Sequence, residues 1–310
     1  MIFTVTLHPA LDKVSVVRDF EVDGVGMTER TRQTPGGQGI QISNVLHGLG
    51  ARTVAMGLIG GAAGDWIRDQ LDLLGVPNDF TFTANETRTN LTILDPDNDT
   101  CTRILEPGHP VTAENLQELW EKLEEQVRPG DTVVFAGKNP AGVTDHQLAD
   151  WITILRDRGI RTALDTTGMA MKIGVAAGPT VIRPDRAQLE ALCEKELPDR
   201  EALAAAARTV VANGVERVVV TLSHREALFV TAGESFHVCG PILETAAARG
   251  AADALLASVL WDLEQGTAWQ ETARRAVAVS MAHAACTGGA PVTLNDVADL
   301  YTQMVLEPLS

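Results

Sequence analysis

Short runs of β-branched and aliphatic residues alternate along this chain with longer stretches whose apolar positions recur every three or four residues. Phe3–Leu7, Thr53–Ile59, Thr132–Ala136, Thr162–Leu164, Thr180–Ile182, Val218–Leu222 and Ala227–Val230 predict strands. Several lack the polar alternation of a half-exposed sheet, as expected where both faces are covered. Between them, Ile42, Val45, Leu46 and Leu49 fall on one helical face, as do Leu116, Leu119, Leu123 and Val127. Leu189–Leu192, the alanine-rich stretch 202–211 and a small-residue run from Ala273 through His283 to Gly288-Gly289 continue the pattern. This strand–helix rhythm predicts a mostly parallel sheet with helices on both sides.

Two segments break the rhythm. Residues 14–34 and 86–105 carry alternating polar and apolar positions, and Asp95-Pro-Asp-Asn-Asp99 is a turn signal between two such runs. A hairpin is expected there, and the two segments together predict a small antiparallel β layer projecting from the main sheet. With no internal repeat or low-complexity linker, residues 1–310 are read as one α/β domain with a lid.

Composition narrows the function classes. The 310 residues carry a formal net charge of −16, with mean hydropathy +0.03 and a pI near 4.8. Such acidity argues against nucleic acid or an anionic membrane as partner. It also means that any phosphate-bearing ligand needs a local positive potential built from Arg, Lys or helix N-termini. Cys101, Cys193, Cys239 and Cys286 are widely spaced, which fits neither a metal cluster nor a disulfide framework. The N-terminal Met-Ile-Phe-Thr-Val-Thr-Leu reads as a strand rather than a targeting segment. No apolar run approaches the roughly 20 residues that span a bilayer. A cytoplasmic location is expected.

The stretch from Thr245 to Leu260 carries the chemistry. Leu255, Leu256, Val259, Leu260 and Leu263 form one apolar helix face, preceded by Gly250 and Ala251, with Asp253 in the first turn. First-turn amides lack intrahelical acceptors and bind anions. A carboxylate beside them can take a proton from a hydroxyl while the amides hold a phosphoryl group. The plainer alternative is that Asp253 only complements the helix dipole. A second segment, Pro35-Gly-Gly-Gln-Gly-Ile-Gln-Ile-Ser-Asn44, is a glycine-rich turn opening a helix; it is neither a P-loop nor a dinucleotide fingerprint.

Together these segments resemble the paired signatures of the PfkB carbohydrate kinases. The glycine-rich turn at Pro35–Asn44 is similar to G-G-x-G-x-N-x-[AS]. The stretch around Asp253 is similar to D-T-x-G-A-G-D, here Glu244-Thr245 and Gly250-Ala-Ala-Asp253. Thr4-Val-Thr-Leu-His-Pro-Ala-Leu-Asp12 resembles the opening of the 1-phosphofructokinase and tagatose-6-phosphate kinase branch. Thr87-Arg-Thr-Asn90, Glu106-Pro-Gly108, Gly137-Lys-Asn-Pro-Ala-Gly142, Leu164-Asp-Thr-Thr-Gly168 and Ile182-Arg-Pro-Asp185 follow in that branch's order. The resemblance implies a ribokinase-like three-layer α/β/α sandwich with a small β-sheet lid. It also implies ATP- and Mg2+-dependent phosphate transfer to a hydroxyl of a phosphorylated ketose. Asp253 is then the base, and the amides of Gly250, Ala251, Ala252 and Asp253 form the anion hole. Asp12, Gly36, Gly37, Gln38 and Gln41 contact the sugar, Arg88 and Asn90 reach it or its phosphate from the lid, and two copies pair through the lid. Asp185, Gln188, Thr221, Ser223 and Glu226 fall at nucleotide-side positions; no protein ligand is assigned to the metal.

Departures from the family pattern cluster on that nucleotide side. The family's N-x-x-E reads Asp185-Arg-Ala-Gln188, and S-x-G-x-x-G-A reads Thr221-Leu-Ser223-His-Arg-Glu226-Ala227. G-A-G-D reads G-A-A-D, G-G-K-G reads Gly-Gly-Gln38-Gly, the following Asn is Gln41, and the Asn of N-P-A-x-D is His8. Lys138 is either a replacement for the cation missing at Gln38 or a solvated loop lysine. Two readings stand: a working kinase with altered preference, or a sugar-phosphate-binding descendant with a degenerate nucleotide site. The orientations of Ser223, Glu226, Asp185 and Gln188 separate them: side chains turned away from the nucleotide groove favour the kinase, and Glu226 within it would weaken Mg-ATP binding.

Overall fold

The computed structural model describes residues 1–242, 250–286 and 292–309; Glu244, Thr245, Gly288 and Gly289 lie outside them. The chain opens with β1 (Ile2–Thr6), β2 (Ala10–Val16) and β3 (Arg30–Gly36), and β3 passes through Gly37 into α1 (Gln38–Gly48). There follow β4 (Thr53–Ile59), α2 (Gly61–Leu73), β5 (Asn78–Phe82), β6 (Thr89–Asp95), β7 (Thr100–Leu105) and α3 (Ala113–Gln126). The middle of the chain supplies β8 (Thr132–Ala136), α4 (Gln147–Asp157), β9 (Arg161–Asp165), α5 (Gly168–Ala176), β10 (Val181–Ile182), α6 (Arg186–Cys193) and α7 (Arg200–Ala212). It ends with β11 (Arg217–Ser223), β12 (Glu226–Thr231), β13 (Ser235–Cys239), α8 (Ala251–Gln265), α9 (Trp269–Ala285), α10 (Leu294–Tyr301) and β14 (Val305–Pro308).

The main sheet runs β14-β13-β12-β11-β10-β9-β8-β1-β4-β5. Strands from β5 through β11 pair in parallel, and β11 through β14 pair antiparallel. Side-chain alternation explains why these strands read as continuous apolar runs. Val133 and Phe135 of β8 and Val218 and Val220 of β11 point into one core with α3, α4 and α7. Val134, Ala136 and Val219 point into the opposite core with α1, α8 and α9. Each face is buried, so neither needs polar residues.

Strand order reverses direction between β1 and β8, and the carboxyl ends of these strands flank the crevice in which doubly wound sheets hold ligands. Above it lies a second sheet, β3-β2-β6-β7. The sequence pattern predicted an antiparallel layer, and this needs correction: β2 pairs with β6 in parallel, from Leu11↔Thr89 to Val16↔Leu94, while β2–β3 and β6–β7 are antiparallel. The lid also takes in more chain than predicted, beginning at Ala10 and reaching Gly36. The predicted hairpin joins β6 to β7. There the Asp95 carboxylate accepts from the Asp97 amide (3.1 Å) and Asn98 Nδ2 (2.8 Å), and also from the amides of Asp19 and Phe20. Among the described residues no helix is long and apolar enough to cross a membrane.

Candidate active site

Two helix N-termini open on the crevice. Helix α1 begins after Gly37, whose φ of 125° is open to glycine and strained for other residues. A Cβ there would also press on Thr6 Cγ2 at 2.7 Å. Helix α8 begins after Gly250, in the left-handed region at φ 78°, and a Cβ there would lie 2.7 Å from His283 Nε2. Neither helix has a side-chain cap. First-turn amides of a helix lack intrahelical acceptors, so the start of α8 can receive an anion. Asp253 stands in this turn, largely buried yet lining a cleft of about 1320 Å³ between sheet and lid.

Two side chains reach Asp253 from separate elements, and a third stands beside the helix start. Gln38 Nε2 donates to its Oδ1 at 3.4 Å. Arg183, just past the end of β10, brings Nη2 to 3.7 Å from the same oxygen. His283 of α9 packs beside Gly250 and also lines the cleft. In the sequence His283 is only part of a small-residue helical run; α9 brings it to the site. Arg183 is itself bound to Asp165, at the end of β9, through Nη2 (2.5 Å) and Nε (3.2 Å) to Oδ2. Burial works against the Arg183 charge, but Asp165 and then Asp253 outweigh it and hold the guanidinium above its ordinary value. Burial likewise pushes the Asp165 carboxyl up, and Arg183 opposes it. The two side chains stand in buried salt-bridge geometry.

The opposite wall is made by the lid. Asn90 Nδ2 donates to Asp12 Oδ1 at 2.8 Å, across the parallel β2–β6 register that sets Asp12 beside Asn90. Gly36 makes room for this pair, since a Cβ there would sit 2.6 Å from Asp12 Cγ. Gln41 Nε2 donates to the Pro35 carbonyl at 2.7 Å, which fixes the turn into α1. Arg88 is held by three backbone carbonyls, those of His8 (3.2 Å), Pro9 (3.3 Å) and Glu106 (3.3 Å). Burial lowers its pKa, while Asp12 and Glu106 favour its charge. His8 is pushed down to about 4, first by burial and then by Arg88, so it is neutral at pH 7. Lys138 is exposed on the cleft rim, as are Arg30, Arg32 and Arg103 of the lid.

Asp12, Gly37, Gln38, Gln41, Arg88, Asn90, Gly250 and Asp253 therefore share one cleft, with Gly36, Ala251 and Ala252 in the backbone immediately behind them. Asp185, Gln188, Thr221, Ser223 and Glu226 do not line it. Asp185 caps α6, accepting from the Gln188 amide (2.8 Å), while Gln188 Oε1 accepts from the Asp185 amide (2.8 Å) in a reciprocal capping box. The rearranged acidic motif is thus a sound helix start. Thr221 Oγ1 accepts from Arg183 Nη1 at 3.5 Å, and Ser223 Oγ accepts from the Arg225 amide at 3.3 Å. Glu226 meets buried His237 at 2.8 Å, in a separate depression with Arg186, Arg200 and Arg225. Its side chain projects on the α6–α7 face of the sheet, because Leu228, two residues on, enters the core shared with α7.

Among the described residues no group of three acidic, His or Cys side chains is placed to hold a metal ion. Mg2+ ordinarily keeps several waters and arrives on substrate phosphates with one or two carboxylates. These residues do not build a protein cage for it.

Sequence reasoning quoted the segments that contain Asp165 and Arg183 but gave neither residue a role. The available signal was a charged residue ending each of two buried parallel strands, the edge where such sheets do chemistry.

A mostly parallel, doubly wound sheet under a β lid, with an acid in a helix's first turn facing the lid's polar residues, defines a phosphotransferase-like cleft. The chain belongs to the pfkB family of carbohydrate kinases, whose family model matches residues 9–295. It is 31% identical to the 1-phosphofructokinase of Rhodobacter capsulatus, over 90% of this chain and 89% of that one. It is 28% identical to a tagatose-6-phosphate kinase of Staphylococcus epidermidis, over 92% of each. The solved structure of phosphofructokinase-2 from Escherichia coli in complex with substrates and products superposes with a TM-score of 0.92 at 27% identity. That match covers 97% of this chain and 98% of that one.

Proposed function

We propose that this chain transfers the γ-phosphoryl group of ATP to a hydroxyl of a phosphorylated ketose, as a 1-phosphofructokinase-like enzyme. The observation that carries the reading is Asp253, in the first turn of α8, facing across one cleft to Asp12, Asn90 and Arg88 of the lid. The sugar's hydroxyls meet Asp12, Gln38 and Gln41, and its existing phosphate meets Arg88, whose guanidinium suits bidentate oxyanion recognition. The acceptor hydroxyl loses its proton to Asp253 as its oxygen bonds to phosphorus and the bond to the ADP oxygen breaks. The amides of Ala251 and Ala252 hold the charge of the group in flight. Mg2+, carried in on the nucleotide, supplies charge neutralisation.

The test is a coupled assay with Mg-ATP and, separately, fructose 1-phosphate, fructose 6-phosphate and tagatose 6-phosphate. Asp253→Asn should lower kcat by roughly 10²–10⁴-fold while the sugar phosphate still binds. Turnover unchanged in that variant removes Asp253 from the reaction.

A second reading, sugar-phosphate binding without turnover, is favoured by one observation: Asp185 and Gln188 are engaged with each other in the α6 capping box. Calorimetric titration decides, since this reading requires heat with a sugar phosphate and none with Mg-ATP. Pairing of two copies through the lid belongs to the first reading. Val22, Val25, Met27 and Ile104 there are exposed, and a Val25→Asp variant that sediments like the parent would count against it.

A further inference from the structure

We infer that Asp165 and Arg183 are positioning residues for Asp253: the guanidinium orients the Asp253 carboxylate, and Asp165 divides the guanidinium's charge. The inference deepens the kinase reading and rests on it for the role of Asp253.

Parallel pairing of β9 and β10 matches Leu164 with Ile182, so the next residues, Asp165 and Arg183, leave the sheet side by side. Their side chains are 2% and 7% exposed. A guanidinium so deeply buried must be paired. Here it faces two carboxylates unequally, with two donors on Asp165 Oδ2 and one nitrogen 3.7 Å from Asp253 Oδ1. Asp165 is not among the residues lining the cleft. Its effect on chemistry must run through Arg183.

The inequality matters for a general base, which works best when it titrates near the operating pH. A guanidinium bonded to Asp253 alone would keep that carboxylate ionised but a poor proton acceptor. Without Arg183, Asp253 would sit near the Asp165 carboxylate and resist ionisation. Sharing Arg183 with Asp165 is an arrangement between these two. Among the described residues Gln38 from α1 also reaches Asp253, while His283 from α9 and Lys138 after β8 line the same cleft. None of them connects it to Asp165.

Two substitutions should therefore move Asp253 in opposite directions. Asp165→Asn leaves the guanidinium's charge undivided, and the Asp253 midpoint should fall by about one pH unit. Arg183→Gln removes the cation, and the midpoint should rise by about one unit, the size typical of a neighbouring charge. Arg183→Lys should leave it near the parent value. The measurement is a carboxyl 13C NMR titration of the full chain labelled at aspartate, with Asp253 assigned by its loss in Asp253→Asn. Thermal melts confirm that each variant is folded.

Shifts of one sign in both variants, or no shift in either, overturn the inference. If Arg183→Gln does not fold, Asp165→Asn decides alone, and an unchanged or raised midpoint overturns it. Because the titration reads Asp253 directly, it holds for a chain without turnover. In an active chain the acid limb of kcat must follow the NMR midpoint. If the midpoint moves and the limb does not, the positioning stands and Asp253 is no longer the proton acceptor.

Discussion

Replacing Gly36 by alanine should act on the sugar through Asp12. The added Cβ would lie 2.6 Å from Asp12 Cγ, 2.7 Å from its Oδ2 and 2.8 Å from the Ala10 carbonyl oxygen. Carbon atoms rest about 3.5–4.0 Å apart, so roughly an ångström must be found. Main-chain atoms of paired strands yield least, which leaves the Asp12 side chain to turn away and break its 2.8 Å bond from Asn90. Overpacking of this kind costs about 1–3 kcal/mol, and a hydrogen bond to a charged group contributes about 1.5–3 kcal/mol. If the misplaced carboxylate no longer meets the substrate, KM for the sugar phosphate should rise roughly 10- to 100-fold, with kcat changing less. Steady-state kinetics over a range of sugar phosphate at saturating Mg-ATP reads both parameters. The decisive control is the cycle with Asp12→Ala. Once Asp12 has no carboxylate to displace, Gly36→Ala should add little to the loss. Fully additive losses would show that Gly36 acts on something other than Asp12 and refute the reasoning.

Arg88→Ala should raise KM for a phosphorylated ketose about 10- to 100-fold and leave binding of the unphosphorylated sugar nearly unchanged. Equal effects on both would remove the phosphate contact. His8, held near 4 against an ordinary 6.5, protonates in the unfolded chain before the folded one. Its contribution is therefore complete above about pH 6.5, is lost as pH falls, and is gone below about pH 4. Allowing for the ring's partial exposure, roughly 1–2 kcal/mol is at stake, and His8→Asn should flatten that part of the melting-temperature profile. Glu226→Gly should leave Mg-ATP affinity within about twofold, because the carboxylate is turned toward His237, and cost about 0.5–1.5 kcal/mol of stability through the lost hydrogen bond. A large gain in affinity would mean that Glu226 obstructs the nucleotide after all.

The central strands were legible because burial on both faces leaves an unmistakable apolar run, as in Val133–Ala136 and Val218–Val220. The strands that went unread are the compositionally mixed ones: Asn78–Phe82, Ser235–Cys239 and the mostly exposed edge Val305–Pro308. Their identity depends on neighbours supplied by distant chain. Parallel pairing of β2 with β6 was equally hidden, since alternation marks a strand's two faces and carries no information about its direction. In the cleft, glycine-dependent features could be read locally: Gly37 and Gly250 stand where side chains would collide. The contact from Arg183 to Asp165 and Asp253 could not, because it exists only once two strands and a helix 70 residues downstream share one edge. Asp185 and Gln188 show the reverse case. Their spacing spells a capping box outright, and attention to an expected ligand concealed a plain helix start.

A single residue, Gly37, separates lid strand β3 from the first turn of α1. Whatever tilts the lid must therefore twist the backbone at one torsion pair or carry the helix end along with it. Since Gln38 reaches Asp253 from that same end, a sugar settling beneath the lid is felt at the acid without any messenger beyond the chain's own continuity. Hinge and trigger are the same few atoms.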